Sequence, residues 1–254
     1  MTASTASKAR LQIDLNADLG EGLDDTELLP FLTSANVACG GHAGDAQIMD
    51  RTVALLLERG IRIGAHPSYA DRENFGRREV DLTGEQVRRL VQDQVALLDD
   101  IVRRRGGRLS HVKAHGALYN RAAREPLLAQ QLARAVRGCG AELSLWGLAG
   151  SVQLEAARAE GLRAIAEAFV DRRYLPDGSL KPRSQPGALL LDAGEAADQA
   201  LSIARDQVAI ADGGARVSIT AQTLCLHGDT PGAAAIARAV RARLTSAGIA
   251  IAAP

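Results

Sequence analysis

The stretch LQIDLNADL, residues 11–19, alternates with a period of two. Gln12, Asp14, Asn16 and Asp18 fall on one face, and Leu11, Ile13, Leu15 and Ala17 on the other. Successive side chains of a strand point to opposite faces, so such a strand has an apolar side and a polar side. Parallel strands covered by helices on both faces read instead as nearly continuous apolar runs. The split recurs along the chain. Arg62, Gly64 and His66 oppose Ile61, Ile63 and Ala65; His111, Lys113 and His115 oppose Val112 and Ala114; Thr223, Cys225 and His227 oppose Leu224 and Leu226. A closed barrel satisfies all of these strands at once, because their polar faces meet around one axis while the apolar faces take the helices.

Working outward, seven β-rich runs can be read: LQIDL, TSANVA, IRIGA, LSHVKA, ELSLWG, LRAIAEA and TLCLHG. Segments of helical period lie between the first six runs and after the last. Asp45 is placed to cap a helix ending near Gly60, Thr83 and Gln86 fit a capping box, and Ser151 is placed to cap a short helix ending before Gly161. A β-then-α rhythm implies parallel strands with right-handed crossovers. The expected fold class is therefore α/β, a parallel β/α barrel of about seven strands, slightly short of the common eight. Residues 11–254 read as one barrel domain, and residues 1–10 as a disordered leader. Two stretches, 67–82 and 170–187, lack periodicity, and loops of that length in a compact domain are usually functional or form interfaces.

With 30 basic and 30 acidic residues the formal charge is zero, which gives no electrostatic reason to expect nucleic acid or a membrane surface as a partner. No apolar run approaches the length of a membrane span. The three cysteines form no C-x-x-C pair, which disfavours a disulfide framework or a structural zinc site and fits a reducing cytoplasm. Only three of the 30 basic residues are lysines. Lys113, on a strand's polar face, is therefore not generic positive charge.

Active sites of β/α barrels gather at the C-terminal strand ends. The polar residues concentrate there: Asp18 and Glu21, Asn36 and His42, His66, Lys113 and His115, Glu167 and Asp171, and His227 and Asp229. Taken singly, each is an ordinary hydrogen-bonded scaffold residue; six strand ends together point to a catalytic or binding pocket. Cys225 shares the lumen face near His227, and a buried structural thiol is its simplest reading.

The ordered motifs DLNADLGEG, SANVACGGHAGD, GAHPSY, FGRRE, VKAHGALYN, EAFVDRRYLPDGSL and LCLHGD resemble the LamB/YcsF family over nearly the whole chain. Two positions depart from that pattern: Gly41, where the family usually has Phe, and Ala114, where it usually has Pro. The resemblance implies a β/α barrel related to NodB-type polysaccharide deacetylases. It also implies ATP-dependent opening of the lactam ring of 5-oxo-L-proline to L-glutamate, as the A component of a 5-oxoprolinase whose partners are subunits B and C; self-association stays open. No lysine follows a glycine, so the chain has no Walker A loop, and ATP, as co-substrate, would be bound with or by the partners.

On that reading Lys113 stabilises developing negative charge, Asp18 or Glu21 is the base for water, and His115 or His227 donates the proton to the leaving nitrogen. Arg77 or Arg172 holds the substrate carboxylate. Asp14, Asn16, Asn36, His42, Glu167, Asp171 and Asp229 complete the substrate-binding set. Asp18, His66 and His115 form an Asp-His-His set suited to a divalent metal, with a metal-free hydrogen-bond network as the alternative. Two rival functions remain: a metal-dependent carbohydrate N-deacetylase, and a non-catalytic component that only binds substrate.

Overall fold

The computed structural model describes residues 11–254; the expected leader, 1–10, lies outside the described residues. The chain runs β1 (Gln12–Leu19), β2 (Ser34–Ala38), α1 (Ala46–Glu58), β3 (Arg62–His66), α2 (Gly84–Arg104), β4 (Leu109–Lys113), α3 (Gly116–Arg124), α4 (Pro126–Cys139), β5 (Ser144–Leu148), α5 (Val152–Ala159), β6 (Arg163–Phe169), α6 (Ala193–Asp206), β7 (Val208–Ile210), β8 (Arg216–Ser218), β9 (Thr223–His227), α7 (Ala233–Ser246) and β10 (Ala250–Ile251). Strands β1 to β6 pair in sequence order, all parallel. β9 closes the ring by pairing with both β6 and β1, so seven strands form the barrel.

The parity read from the sequence is the parity of the barrel. Registered partners run around the ring in one series, His227 to Asp18, Asn36, Gly64, His111 and Ser144. On the opposite face Leu15, Ala17, Ala35, Val37, Ala65, Val112, Leu145, Ala168 and Leu224 are fully buried. There they meet the apolar stripes of the helices, such as Val87, Val91, Val95, Leu98 and Val102 of α2. The lower lumen is filled rather than open: the Trp146 indole stacks on the His111 imidazole, with centroids 3.7 Å apart. Gly64 makes that fit, since a Cβ there would collide with the His111 ring.

Local signals mostly hold. Asp45 accepts from the Ile48 amide, and Thr83 and Gln86 form a reciprocal capping box. Ser151 does stand at the N-cap of α5, but its side chain makes no cap hydrogen bond. The β1–β2 connection, expected to be helical, holds only a 3-10 turn at Leu29–Phe31, because DDTELLP is too short for an amphipathic helix. Helix α6, the β7–β8 hairpin and β10, which extends the sheet beside β1, had not been expected. The hairpin's turn, Asp212-Gly213-Gly214 with both glycines at positive φ, is an Asp-Gly hairpin signal hidden by the shortness of its strands.

Candidate active site

A cavity of about 780 Å³ opens at the C-terminal end of the barrel. It is floored by Asp18, His66 and Lys113, and walled by residues from the loops after β5 and β6 and from the β7–β8 hairpin. Of the residues singled out in the sequence, Asp18, Glu21, His66, Arg77, Lys113, His115, Arg172, His227 and Asp229 line it. Asp14, Asn16, Asn36, His42, Glu167 and Asp171, expected as substrate contacts, stand behind this lining. Their polar atoms are engaged by the protein. Asp14 accepts from Thr33, Ser34 and Thr223, Asn36 links Asn16 to Asp18, and Glu167 accepts from Asn16 and from the Tyr119 hydroxyl.

Lys113, 2% exposed, reaches two carboxylates, Asp18 Oδ1 and Glu167 Oε1, each at 2.9 Å. Burial alone would lower the Lys113 pKa, but Asp18, Cys225 and Glu167 hold it well above its ordinary value. Burial alone would likewise raise Asp18, yet His66 and Lys113 keep it well below the usual carboxylate range. Lys113 is thus a fixed cation and Asp18 a fixed anion. A carboxylate held so far down is a weak base, which argues against Asp18 as the group that deprotonates water. The Cys225 thiol, 3.1 Å from Lys113 Nζ, is pushed well above its ordinary value by burial and is not poised as a nucleophile.

Beside this pair, three imidazoles converge. His66 Nδ1 donates to the Lys113 carbonyl at 2.8 Å and His115 Nε2 to the Phe75 carbonyl at 3.0 Å. Ser68 Oγ donates to the Tyr69 carbonyl, so its oxygen accepts from His42 Nδ1 at 2.9 Å. Carbonyls can only accept, so each neutral ring carries its proton outward and turns a lone pair inward. Those lone pairs face acceptors. His66 Nε2 lies 3.2 Å from Asp18 Oδ2 and 3.0 Å from His115 Nδ1, and His42 Nε2 lies 2.9 Å from Glu21 Oε1. Burial also pushes His42 and His115 below their ordinary values, against protonation. Where the rings are neutral, acceptors pointed at one another need positive charge between them, either a proton, as in the His66–Asp18 contact, or a metal ion. Ligand atoms of Glu21, His42, His66 and His115 lie within 4.8 Å of one another, a nitrogen and oxygen set that fits a divalent transition ion. Of the expected trio, His66 and His115 fall in this group with Glu21 and His42, while Asp18, 3.2 Å from His66 Nε2, also groups with Cys225 and His227.

The 67–82 loop supplies the outer contacts that orient these rings. Phe75 takes φ 54°, a conformation costly for a bulky residue, and its carbonyl serves His115. Its ring packs edge-on against both His42 and His115. Gly76 and Gly116, both at positive φ, lie so close that a Cβ on Gly116 would stand 2.5 Å from the Gly76 oxygen. At Gly41 the Ser68 hydroxyl and the Gln94 amide fill the space a side chain would need.

On the opposite wall His227 Nδ1 donates to Asp171 at 2.8 Å. Asp171 also accepts from the His227 amide and the Thr230 hydroxyl, and these partners hold it below its ordinary value against its burial. Asp171 therefore orients His227 and leaves Nε2 free to exchange protons. Arg77 and Arg183 both bind Asp229. Arg183, Ser151 and Tyr119 line the cavity but had not been singled out as site residues, Ser151 having been read only as a helix cap, because only the fold brings them to the strand ends.

A parallel β/α barrel with a charged lumen, a histidine cluster and an oriented His-Asp pair at its mouth defines a hydrolase-like class of site. The chain belongs to the LamB/YcsF family, whose model matches residues 13–254. A lactam utilization protein from Thermus thermophilus is similar throughout, with 41% identity, a TM-score of 0.90, and coverage of 96% of this chain and 100% of that one. The T48 deacetylase, solved with substrate, shares the fold at 14% identity and a TM-score of 0.51, over 95% of this chain and 87% of that one. Among the described residues no helix is long and apolar enough to cross a membrane.

Proposed function

We propose that this chain is the lactam-opening component of an ATP-dependent 5-oxoprolinase, converting 5-oxo-L-proline to L-glutamate with partner subunits B and C. The observation that carries this reading is the full-length likeness to a lactam utilization protein, joined to a site whose charges suit amide hydrolysis. Water adds to the ring carbonyl carbon, the C–N bond breaks, and the nitrogen leaves with a proton. Lys113, charged throughout the working pH range, stabilises the oxygen that becomes negative. His227, oriented by Asp171, passes the proton to the departing nitrogen. His115, whose two ring nitrogens face Phe75 and the histidine cluster, is the less suitable donor. Glu21, His42, His66 and His115 would hold a divalent ion, which would supply Lewis-acid polarisation when bound. ATP enters as co-substrate: its γ-phosphoryl group passes to the ring carbonyl oxygen with release of ADP. One water then opens the activated C–N bond, and a second water releases phosphate from the resulting acyl phosphate to give L-glutamate.

The test is reconstitution with the B and C subunits, following glutamate formed per ATP hydrolysed, with metal content measured before and after chelation. Glutamate formation that depends on all three subunits and ATP is the expected result. An isolated chain that deacetylates N-acetylated sugars without ATP would replace this reading with the deacetylase one. Protein that retains no metal before or after chelation, yet turns over, would remove the metal from the scheme.

A further inference from the structure

Four buried side-chain atoms have no hydrogen-bond partner among the described residues: Asp71 Oδ2, Ser151 Oγ, Gln153 Oε1 and Arg172 Nε. Two of these, Ser151 Oγ and Arg172 Nε, can donate, and both residues line the cavity. Each is 7% exposed. Unsatisfied buried donors are rare in folded proteins and ask for a reason.

Their placement suggests one. Leu148 and Glu167 are registered partners at the C-terminal ends of β5 and β6, and Ser151 and Arg172 lie in the segments that follow those adjacent ends. Ser151 stands at the N-cap of α5 without capping it, so its hydroxyl is free beside the positive end of an eight-residue helix. Arg172 donates one terminal nitrogen to the Lys181 carbonyl at 2.8 Å and makes no ion pair among the described residues. Burial pushes its guanidinium down to about 10, with Arg183 and Arg77 adding to the effect. Those two share a single carboxylate oxygen of Asp229 at 2.9 Å. Asp171 offsets part of the charge at Arg172, so three guanidinium groups stand against the two carboxylates Asp229 and Asp171, and the group keeps a net positive charge. Retaining an unpaired buried cation is costly, and the cost is recovered when an anion binds.

We propose that Arg172, Arg183 and Ser151 form a phosphoryl-binding subsite at the cavity mouth. A carboxylate carries one charge and two coplanar oxygens; a phosphoryl group carries close to two charges and three oxygens spread in space, which suits a net positive group whose unpartnered donors come from separate residues. The cavity of about 780 Å³ is also several times larger than a five-membered lactam, leaving room for a second group. The phosphoryl group belongs either to a nucleotide or to a phosphorylated small molecule. Which phosphorylated compound is bound in turnover rests on the proposed lactam activity; the subsite itself does not.

The experiment is calorimetric titration of the purified chain with inorganic phosphate in the presence of a chelator, so that metal-bound phosphate does not contribute. ATP and acetate are titrated in parallel. Phosphate should bind, acetate more weakly. Arg172→Gln should weaken phosphate by at least about tenfold, the scale of one charge-assisted hydrogen bond, and Ser151→Ala by a smaller factor. The Ser151 hydroxyl makes no bond, so that variant folds as the parent does and keeps the test valid if the arginine variant unfolds. ATP that displaces phosphate assigns the subsite to a nucleotide; phosphate that stays bound under ATP assigns it to a phosphorylated small molecule. Undetectable phosphate binding, or binding unchanged in both variants, overturns the proposal. Because no turnover is measured, this outcome is independent of whether the reconstituted complex opens the lactam.

Discussion

Lys113 is a residue whose ion pairs serve stability and which, on the proposed function, also serves chemistry. Its ammonium binds Asp18 and Glu167 at 2.9 Å while lining the cavity floor, so the structural and catalytic readings of the sequence coexist. Lys113→Met removes the cation and strands two buried carboxylates, at a cost of about 3–5 kcal/mol. Turnover of the assembled complex should also fall by about a hundredfold or more, the scale of losing one charge-stabilising donor. Steady-state kinetics beside urea denaturation separate the two effects, and a folded variant with normal kcat would remove Lys113 from the chemistry. The residue types at this floor were legible in the sequence. Their partners were not, because Lys113 is brought to Asp18 and Glu167 only by closure of the ring.

At the scale of elements, the β1–β2 connection is where the sequence reading failed and where a pH effect resides. Lacking a helix, this segment is held by Asp25, whose carboxylate accepts from the Gly20 amide at 2.8 Å. Burial raises the Asp25 pKa to about 6, with Glu21, Asp24 and Asp18 adding to it. The folded state therefore keeps this proton to higher pH than the unfolded chain, whose ordinary value is 3.8. The stability contributed by the protonated form is complete below that value and lost as pH rises through about 6. Asp25→Asn preserves an acceptor for Gly20 and should be nearly neutral at pH ~4. At pH ~8 it should stabilise by about 2 kcal/mol, one pKa unit being about 1.4 kcal/mol before solvent screening of this partly exposed group. Chemical denaturation of both proteins at the two pH values checks it; an equal difference at both would show that Asp25 ionises freely. Elsewhere, the Thr83–Gln86 capping box and the Asp45 cap were readable because capping is local in sequence. The uncapped Ser151 was not readable as such, since whether a hydroxyl turns to its helix or to a cavity depends on what lies across from it.

At the scale of the whole molecule, closure rests on lumen contacts no single strand reveals. Gly64 gives its side-chain space to the His111 imidazole, which stacks on Trp146 and hydrogen-bonds Asn36. Gly64→Ala should force that stack apart and lower stability by about 1–3 kcal/mol, the usual cost of overpacking a filled core. Thermal unfolding measures this directly, and an unchanged midpoint would mean the lumen is looser than it looks.

The sequence by itself determined the barrel class and the level of the site, because strand parity and strand-end position are carried by spacing along the chain. It also placed the histidines and Lys113 at the strand ends. Tertiary structure alone decided which of them meet. The convergence of His42, His66 and His115 on Glu21, the Asp171–His227 hydrogen bond, and the unpartnered donors of Ser151 and Arg172 all depend on groups far apart in sequence. Hydrogen-bond direction and charge pairing act over a few ångströms in space, and only the closed ring sets those distances.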